Sequence, residues 1–102
     1  MIAIRAICWY IPRTFRSNSA TAWASKWKRP YYGLPQLGWV IEIAAYDVSV
    51  NVVFLGGADF DRPPPLGTTD RTRYVKVTTV EEAQRPELRA WIEEAGRTLG
   101  WR

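Results

Sequence analysis

The chain has 102 residues, of which 47% are hydrophobic and 24% are charged, and this is the composition of one small globular domain, here residues 1–102. Its 14 Lys and Arg residues outnumber ten Asp and Glu residues, so the net charge of +4 argues against an acidic metal-binding chain and leans toward anionic partners. There is no His, and Cys8 is the single cysteine, which excludes an intrachain disulfide and a CxxC site. A reducing, cytoplasmic location is therefore expected.

The opening segment MIAIRAICWYI is apolar except for Arg5 and ends at Pro12. It is shorter than the roughly 20 apolar residues that span a bilayer, and it lacks the flanks of a signal peptide, so we expect neither. We interpret it as a core segment whose periodicity does not decide between strand and helix.

The next segment predicts a helix from about Ser19 to Lys28. Polar residues 16–19 offer N-caps, the sequence ATAWASKWK is rich in Ala, and Pro30 ends the helical region. Trp23 and Trp27 are four positions apart and would share one helix face. The following PYYGLP is a constrained connection with room for a short edge strand.

The sequence from Gly38 to Gly57 predicts two adjacent strands with a turn at Asp47, and Thr72 to Thr78 predicts a third. A loop with three consecutive prolines separates the second strand from the third. Alternation predicts that the inward positions of the strands are Trp39, Ile41 and Ile43, then Val48, Val50, Val52 and Phe54, then Val75 and Val77. It predicts that the outward positions include Val40, Glu42, Tyr46, Tyr74, Lys76 and Thr78.

A second helix is predicted at the carboxyl end. Thr79 and Glu82 form a capping-box pattern, and Pro86 suits a first helical position. An amphipathic stripe follows, with Gly100 as its stop, at Leu88, Trp91, Ile92, Ala95 and Leu99. Helices segregated from an antiparallel sheet define an α+β fold.

Three segments in this order, WKRPYYGLP, AAYDVSVNVVFLGGADF and RTRYVKV, resemble the YdhG-like domain of unknown function over roughly residues 20–95. Members of that family are often labelled iron chaperones or frataxin-like. The resemblance implies an antiparallel sheet of three to five strands, flanked by an N-terminal and a C-terminal helix in the frataxin or CyaY general type.

An enzyme is not expected, because without His no Ser-His or Cys-His pair can activate a nucleophile. The family label implies iron binding, for which the candidate carboxylates are Asp59, Asp61, Glu81 and Glu82. Since Arg residues alternate with the glutamates of the last helix, helix-surface ion pairing is the competing use of the acidic residues there.

Two further readings use the aromatic and basic residues. The main hypothesis is a non-enzymatic module that binds a small acidic ligand, without a cofactor, at Trp27, Tyr31, Tyr46, Arg73 and Lys76. The same interleaving of rings and cations in Trp23–Tyr32 also suits weak single-stranded nucleic-acid binding, although no nucleic-acid motif is present. Core packing of the aromatic rings competes with both.

Overall fold

A computed structural model describes Ile7 and residues 22–26, 29–34, 36–46, 48–67 and 70–101. These residues form five strands, a short 3-10 turn and two helices. The elements in chain order are β1 (Ala22–Lys26), β2 (Arg29–Leu34), β3 (Gly38–Ala45), β4 (Val50–Phe54), the turn Gly57–Asp59, β5 (Arg73–Val77), α1 (Val80–Ala83) and α2 (Pro86–Ala95).

The strands form one antiparallel sheet in the order β1-β2-β3-β4-β5, so each strand pairs with its neighbour in the sequence. The predicted α+β class and the antiparallel sheet are therefore confirmed. The turn between β3 and β4 is closed by the backbone N–H of Tyr46, which donates to the carbonyl of Ser49 at 2.8 Å.

The predicted helix from Ser19 to Lys28 is wrong, because this region contains strand β1. All five residues of Ala22–Lys26 pair with β2, and this non-local pairing overrides the helical preference of an Ala-rich segment. It also gives β2 a neighbour on each side, so the PYYGLP segment is not an edge strand. The pairs between β2 and β3 begin at Tyr31, directly after Pro30, which cannot donate to a ladder.

The core lies between one face of the sheet, here called the core face, and helix α2. Ile41, Ile43, Val52 and Phe54 are completely buried, and the stripe of α2 packs against them through Leu88, Ile92 and Ala95. Ile7 is helical and 1% exposed within the same cluster, as expected for a core segment.

The amphipathic stripe is shorter than predicted. Helix α2 ends at Ala95 with Gly96 as its C-cap, so Leu99 lies beyond the helix and is 49% exposed. Gly100 instead belongs to a terminal segment beside β3. There the N–H of Trp39 donates to the carbonyl of Trp101, and the N–H of Trp101 donates to the carbonyl of Trp39, both at 2.7 Å.

A β-bulge changes the predicted faces at the start of β3. Tyr32 pairs with Ile41 whereas Gly33 pairs with Trp39, so Val40 is an extra residue on β3. Val40 is consequently buried in the core cluster with Ile41 and Ile43. The Trp39 ring lies on the opposite face, where its centroid is 6.2 Å from that of Tyr31. The prediction that Trp39 faces inward and Val40 outward is thus wrong.

The capping-box pattern before α1 is confirmed, with one change of partner. The Thr79 hydroxyl accepts from the N–H of Glu82 at 3.1 Å, as predicted. The Glu82 carboxylate reaches back to Thr78, whose N–H and hydroxyl both donate to Oε1 at 2.6 Å. These hydrogen bonds from Thr78 hold the pKa of Glu82 below its usual 4.5.

Gly33→Ala is expected to lower the free energy of unfolding by about 1–3 kcal/mol, the usual range for overpacking. A Cβ at this position would lie 2.6 Å from the carbonyl oxygen of Gly38 and 2.9 Å from the Trp39 ring. Urea unfolding measures the change. The control is Gly96→Ala, whose right-handed helical backbone accepts Ala, so stability should stay constant or rise by up to about 1 kcal/mol. Equal losses in both variants would show that Gly33 is not sterically constrained.

Glu82→Gln is expected to remove part of the pH dependence of stability in acid. Because folding lowers the pKa of Glu82, the stabilisation is fully present above 4.5 and disappears as the pH falls through the lower folded value. Urea unfolding between pH 7 and pH 2 should therefore show a flatter acid limb in Glu82→Gln than in Glu81→Gln, a neighbouring exposed control. If the unfolding free energies of the two variants fall equally as the pH is lowered, the lowered pKa of Glu82 does not contribute to stability.

Candidate functional site

The two faces of the sheet differ in what covers them. Helix α2 packs on the core face, while the described side chains of the opposite face, here called the outer face, include aromatic, amide and charged groups. Opposed residues of antiparallel strands lie on the same face, so the pairing register assigns these positions. The outer-face residues with described side chains include Tyr31, Trp39, Glu42, Ala44, Asn51, Val53, Tyr74 and Lys76.

The register places three basic positions on one row of the outer face. Lys26 pairs with Arg29 across β1 and β2, and Lys76 pairs with Asn51 across β5 and β4. Asn51 pairs in turn with Ala44, and the β2–β3 register continued by two residues sets Arg29 beside Ala44. We call Lys26, Arg29 and Lys76 the basic row.

Tyr31 lies next to the basic row, but its hydroxyl already has a hydrogen-bond partner. It donates to Oε2 of Glu42 at 2.5 Å, and the residue is only 4% exposed. Its ring also meets the Trp39 ring at an angle of 70°. Tyr31 therefore supports the outer face as a packed aromatic wall.

Tyr46 and Arg73 fall in different places. Tyr46 is 53% exposed and comes two residues after Ala44, so continued alternation assigns it to the outer face, beside the middle of the basic row. Arg73 pairs with Phe54, which belongs to the core face, and its guanidinium donates to the carbonyls of Thr72 at 2.7 Å and Asp70 at 3.1 Å. Of the five predicted ligand residues, Tyr31, Tyr46 and Lys76 share the outer face, Arg73 does not, and Trp27 lies outside the described residues.

Asn51 gives the outer face an unusual polar atom. Its side-chain Oδ1 is buried and has no hydrogen-bond partner within the described structure. Buried acceptors are nearly always paired, so such an atom marks a place where a water or ligand donor is expected. Sequence reasoning identified Lys26 and Arg29 only as part of the Trp23–Tyr32 nucleic-acid candidate and missed Asn51, because only the strand register reveals that the three positions share a row.

The four candidate iron ligands do not converge. Asp59 forms an ion pair with Arg71 at 2.8 Å, and Glu82 caps the start of α1. Asp61 is near α2, where its N–H donates to Oε2 of Glu94 at 3.0 Å, while Glu81 is exposed on α1. Within the described ranges, no three His, Cys, Asp or Glu side chains form a group that could hold a metal ion.

Comparison of the chain with protein-family models, with curated proteins and with solved structures finds no match. The YdhG-like resemblance therefore stays a prediction, and the proposed function rests on the geometry and charge of the outer face. Among the described residues, no helix has the length and apolar character needed to cross a membrane.

Asn51→Val is expected to raise the free energy of unfolding by about 1 kcal/mol, because an unpaired buried acceptor costs about 1–3 kcal/mol. Urea unfolding at pH 7 measures the change. Asn51→Ala removes the same amide without adding the two methyl groups of Val, so it separates the effect of losing the amide from the effect of adding apolar atoms. A loss of stability in both variants would show that the amide contributes a favourable interaction in the folded chain.

Proposed function

We propose that this domain is a non-enzymatic module that binds a small acidic ligand on the outer face, at the basic row. The observation that carries the proposal is the pairing of Lys26 directly with Arg29 across two strands. Like charges at opposed positions of a sheet are destabilising, and a bound anion would offset that repulsion. Such a ligand would meet Lys76 on the same row.

The charge distribution along the chain supports an anionic partner. Residues 1–41 contain six Lys or Arg and no Asp or Glu, whereas residues 42–102 contain eight basic and ten acidic residues. Two of the three basic-row positions therefore come from the part of the chain whose sequence contains no acidic residue. The first acidic residue, Glu42, accepts the hydroxyl of Tyr31. An outside anion is the natural partner for these cations.

The aromatic residues beside the row favour a ligand with an apolar part. Tyr31 and Trp39 form a fixed edge-to-face pair, and Tyr46 is largely exposed. Small-molecule sites typically combine such apolar walls with a few polar groups that set orientation. The unpaired Oδ1 of Asn51 adds an acceptor for an N–H or O–H of the ligand.

Single-stranded nucleic acid is the second candidate, and the length of the row favours it. Neighbouring strands are about 4.8 Å apart, so a row that crosses from β1 to β5 is roughly 19 Å long, enough for several phosphates. Stacking on Tyr46 would add sequence-tolerant affinity. The salt dependence of binding separates this candidate from a small acid.

We also propose that a frataxin-like pair of helices flanks the sheet. This arrangement is supported by Ile7, which is helical and buried in one cluster with Leu88 and Ile92 of α2. The iron-chaperone activity attached to that family gains no support from Asp59, Asp61, Glu81 and Glu82, since they lie in separate interactions.

Binding is tested by titrating ¹⁵N-labelled protein with phenylacetate, phenyl phosphate and octathymidylate at low and moderate salt. The small acids are expected to shift the amide resonances of Ala44, Asn51 and Lys76 saturably, with little dependence on salt. Octathymidylate binding whose affinity falls steeply with salt would favour the nucleic-acid candidate instead. If none of the probes shifts these amides, the proposal fails.

Lys76→Gln is expected to weaken binding of the acid about two- to fivefold, the effect of losing one exposed ion pair. Arg97→Gln is the matched control, because it removes the same charge from an exposed position after α2. Equal effects of the two substitutions would mean that only the net charge matters, which contradicts a localised site.

A further inference from the structure

Helix α2 borders two adjoining depressions on the side of the molecule away from the outer face. The larger has a volume of about 300 Å³, and we call it the Trp91 cleft. It is lined by Asp61, Arg62, Glu87, Ala90, Trp91 and Glu94. The smaller, of about 110 Å³, is a slot that shares Trp91 and Glu87 with the cleft and extends to strand β5. Together they form one groove along α2.

The Trp91 ring is held rigidly at the junction of the two depressions. Its Nε1–H donates to the carbonyl of Arg62 at 2.6 Å, and its ring centroid is 6.3 Å from that of Phe54 in the core. The side chain is nevertheless only half-buried. A fixed, partly open indole provides a preformed wall for a ligand.

Carboxylates surround this ring. Glu87 and Glu94 lie four residues before and three residues after Trp91, on the same side of α2, and Asp61 joins them from the proline-rich loop. The Glu94 carboxylate accepts the N–H of Asp61, whereas Glu87 is exposed and forms no hydrogen bond or ion pair with any described residue. Against three carboxylates, Arg62 is the one cation among the lining residues.

The spacing of these carboxylates suits an organic cation. They belong to no group of described acidic residues close enough to hold a metal ion, yet they border a cleft of about 300 Å³ beside an indole. A guanidinium or alkylammonium group gains from an indole face as well as from carboxylates, and Trp is the best aromatic partner for it.

The smaller slot adds a feature that points to a peptide. Strand β5 is an edge strand, and its outward N–H and C=O at Tyr74 pair with Leu66. The residues before Leu66 are three prolines, which cannot donate to a ladder, and the carbonyl of Arg62 before them accepts the indole N–H of Trp91 on α2. The next outward backbone groups, those of Lys76, have no backbone partner in the part of the chain that the structure describes. Lys76 lines the slot beside Val75, Val77 and Leu88.

We propose that this groove binds an extended peptide with a basic side chain. The peptide backbone pairs with the outward N–H and C=O of Lys76, an apolar side chain enters the slot, and a Lys or Arg side chain enters the Trp91 cleft. The free strand edge, the apolar slot and the charge of the cleft each select one part of this ligand. The site shares Lys76 with the basic row, here through its backbone and there through its side chain, and it prefers the opposite charge.

The test uses two peptides that differ by one charge, acetyl-Thr-Val-Thr-Arg-Thr-amide and the same sequence with citrulline, the neutral isostere of arginine. In ¹⁵N spectra the arginine peptide is expected to shift the indole Nε1–H of Trp91 and the amide of Lys76 saturably. The citrulline peptide should bind about tenfold more weakly, the effect of a desolvated cation–indole contact. Equal binding of the two peptides, or no shift up to about 10 mM, a concentration at which only very weak sites remain empty, overturns the proposal.

A pair of double variants tests the carboxylates. Glu87→Gln with Glu94→Gln is expected to weaken binding of the arginine peptide about tenfold, in line with losing two charge contacts. Glu81→Gln with Glu93→Gln removes the same two charges from exposed positions that do not line the cleft, and should leave the affinity unchanged. Equal affinities in the two double variants overturn the assignment of the cleft.

Free arginine amide separates the cation from the peptide. It is expected to shift the Trp91 indole weakly and to leave the Lys76 amide in place. If it binds as tightly as the peptide, the cleft recognises the cation alone and the strand pairing at Lys76 is wrong. The Lys76 amide is monitored in the anion titrations as well, so the two sites are distinguished by the Trp91 indole, which the acids should leave in place, and by the amides of Ala44 and Asn51, which the peptides should leave in place.

Discussion

The fold depends on the antiparallel pairing of β3 with β4. Its core-face side chains Ile41, Ile43, Val50, Val52 and Phe54 are completely buried, and each such side chain contributes about 1.5–3 kcal/mol of transfer free energy. The apolar stripe of helix α2 is buried because it packs against this surface. The position of every outer-face group follows as well, since burying one face of a strand fixes its register and thereby assigns the alternate residues to the other face.

Local patterns in the sequence were sufficient for part of this structure. Alternation in β4 and β5, the Thr79 cap and the stripe of α2 depend on neighbours a few residues apart, so a reader of the sequence can find them. The exception is Val48, which was predicted to face inward but precedes β4 and is 78% exposed. The strand Ala22–Lys26 could not be recognised, because its Ala-rich sequence prefers a helix and only pairing with β2 makes it extended. The bulge at Val40 was hidden for the same reason, since an extra residue exists only relative to a partner strand.

The candidate binding surfaces could also be predicted only in part from the sequence. Tyr31, Tyr46 and Lys76 were identified from residue type and do share a face, while Arg73 was separated from them by a single change of parity along β5. Lys26 and Arg29 were noticed as cations interleaved with aromatic residues, but only the β1–β2 hairpin shows that they occupy opposed positions. The Trp91 cleft is harder still to foresee, because it requires the proline-rich loop to dock on α2 through Arg62.

The contact between Trp39 and Trp101 differs from all strand pairings in the distance it spans along the chain. Three of the four strand connections are short, and the longest, between β4 and β5, covers residues 55–72, whereas this bridge joins residues 62 positions apart. Loops of that length close late, after local contacts have formed. A partly folded chain would therefore hold its hairpins with the first residues of β3 still free on one side. Such an unpaired segment can recruit another molecule, and closure of the terminal bridge removes that opportunity for self-association.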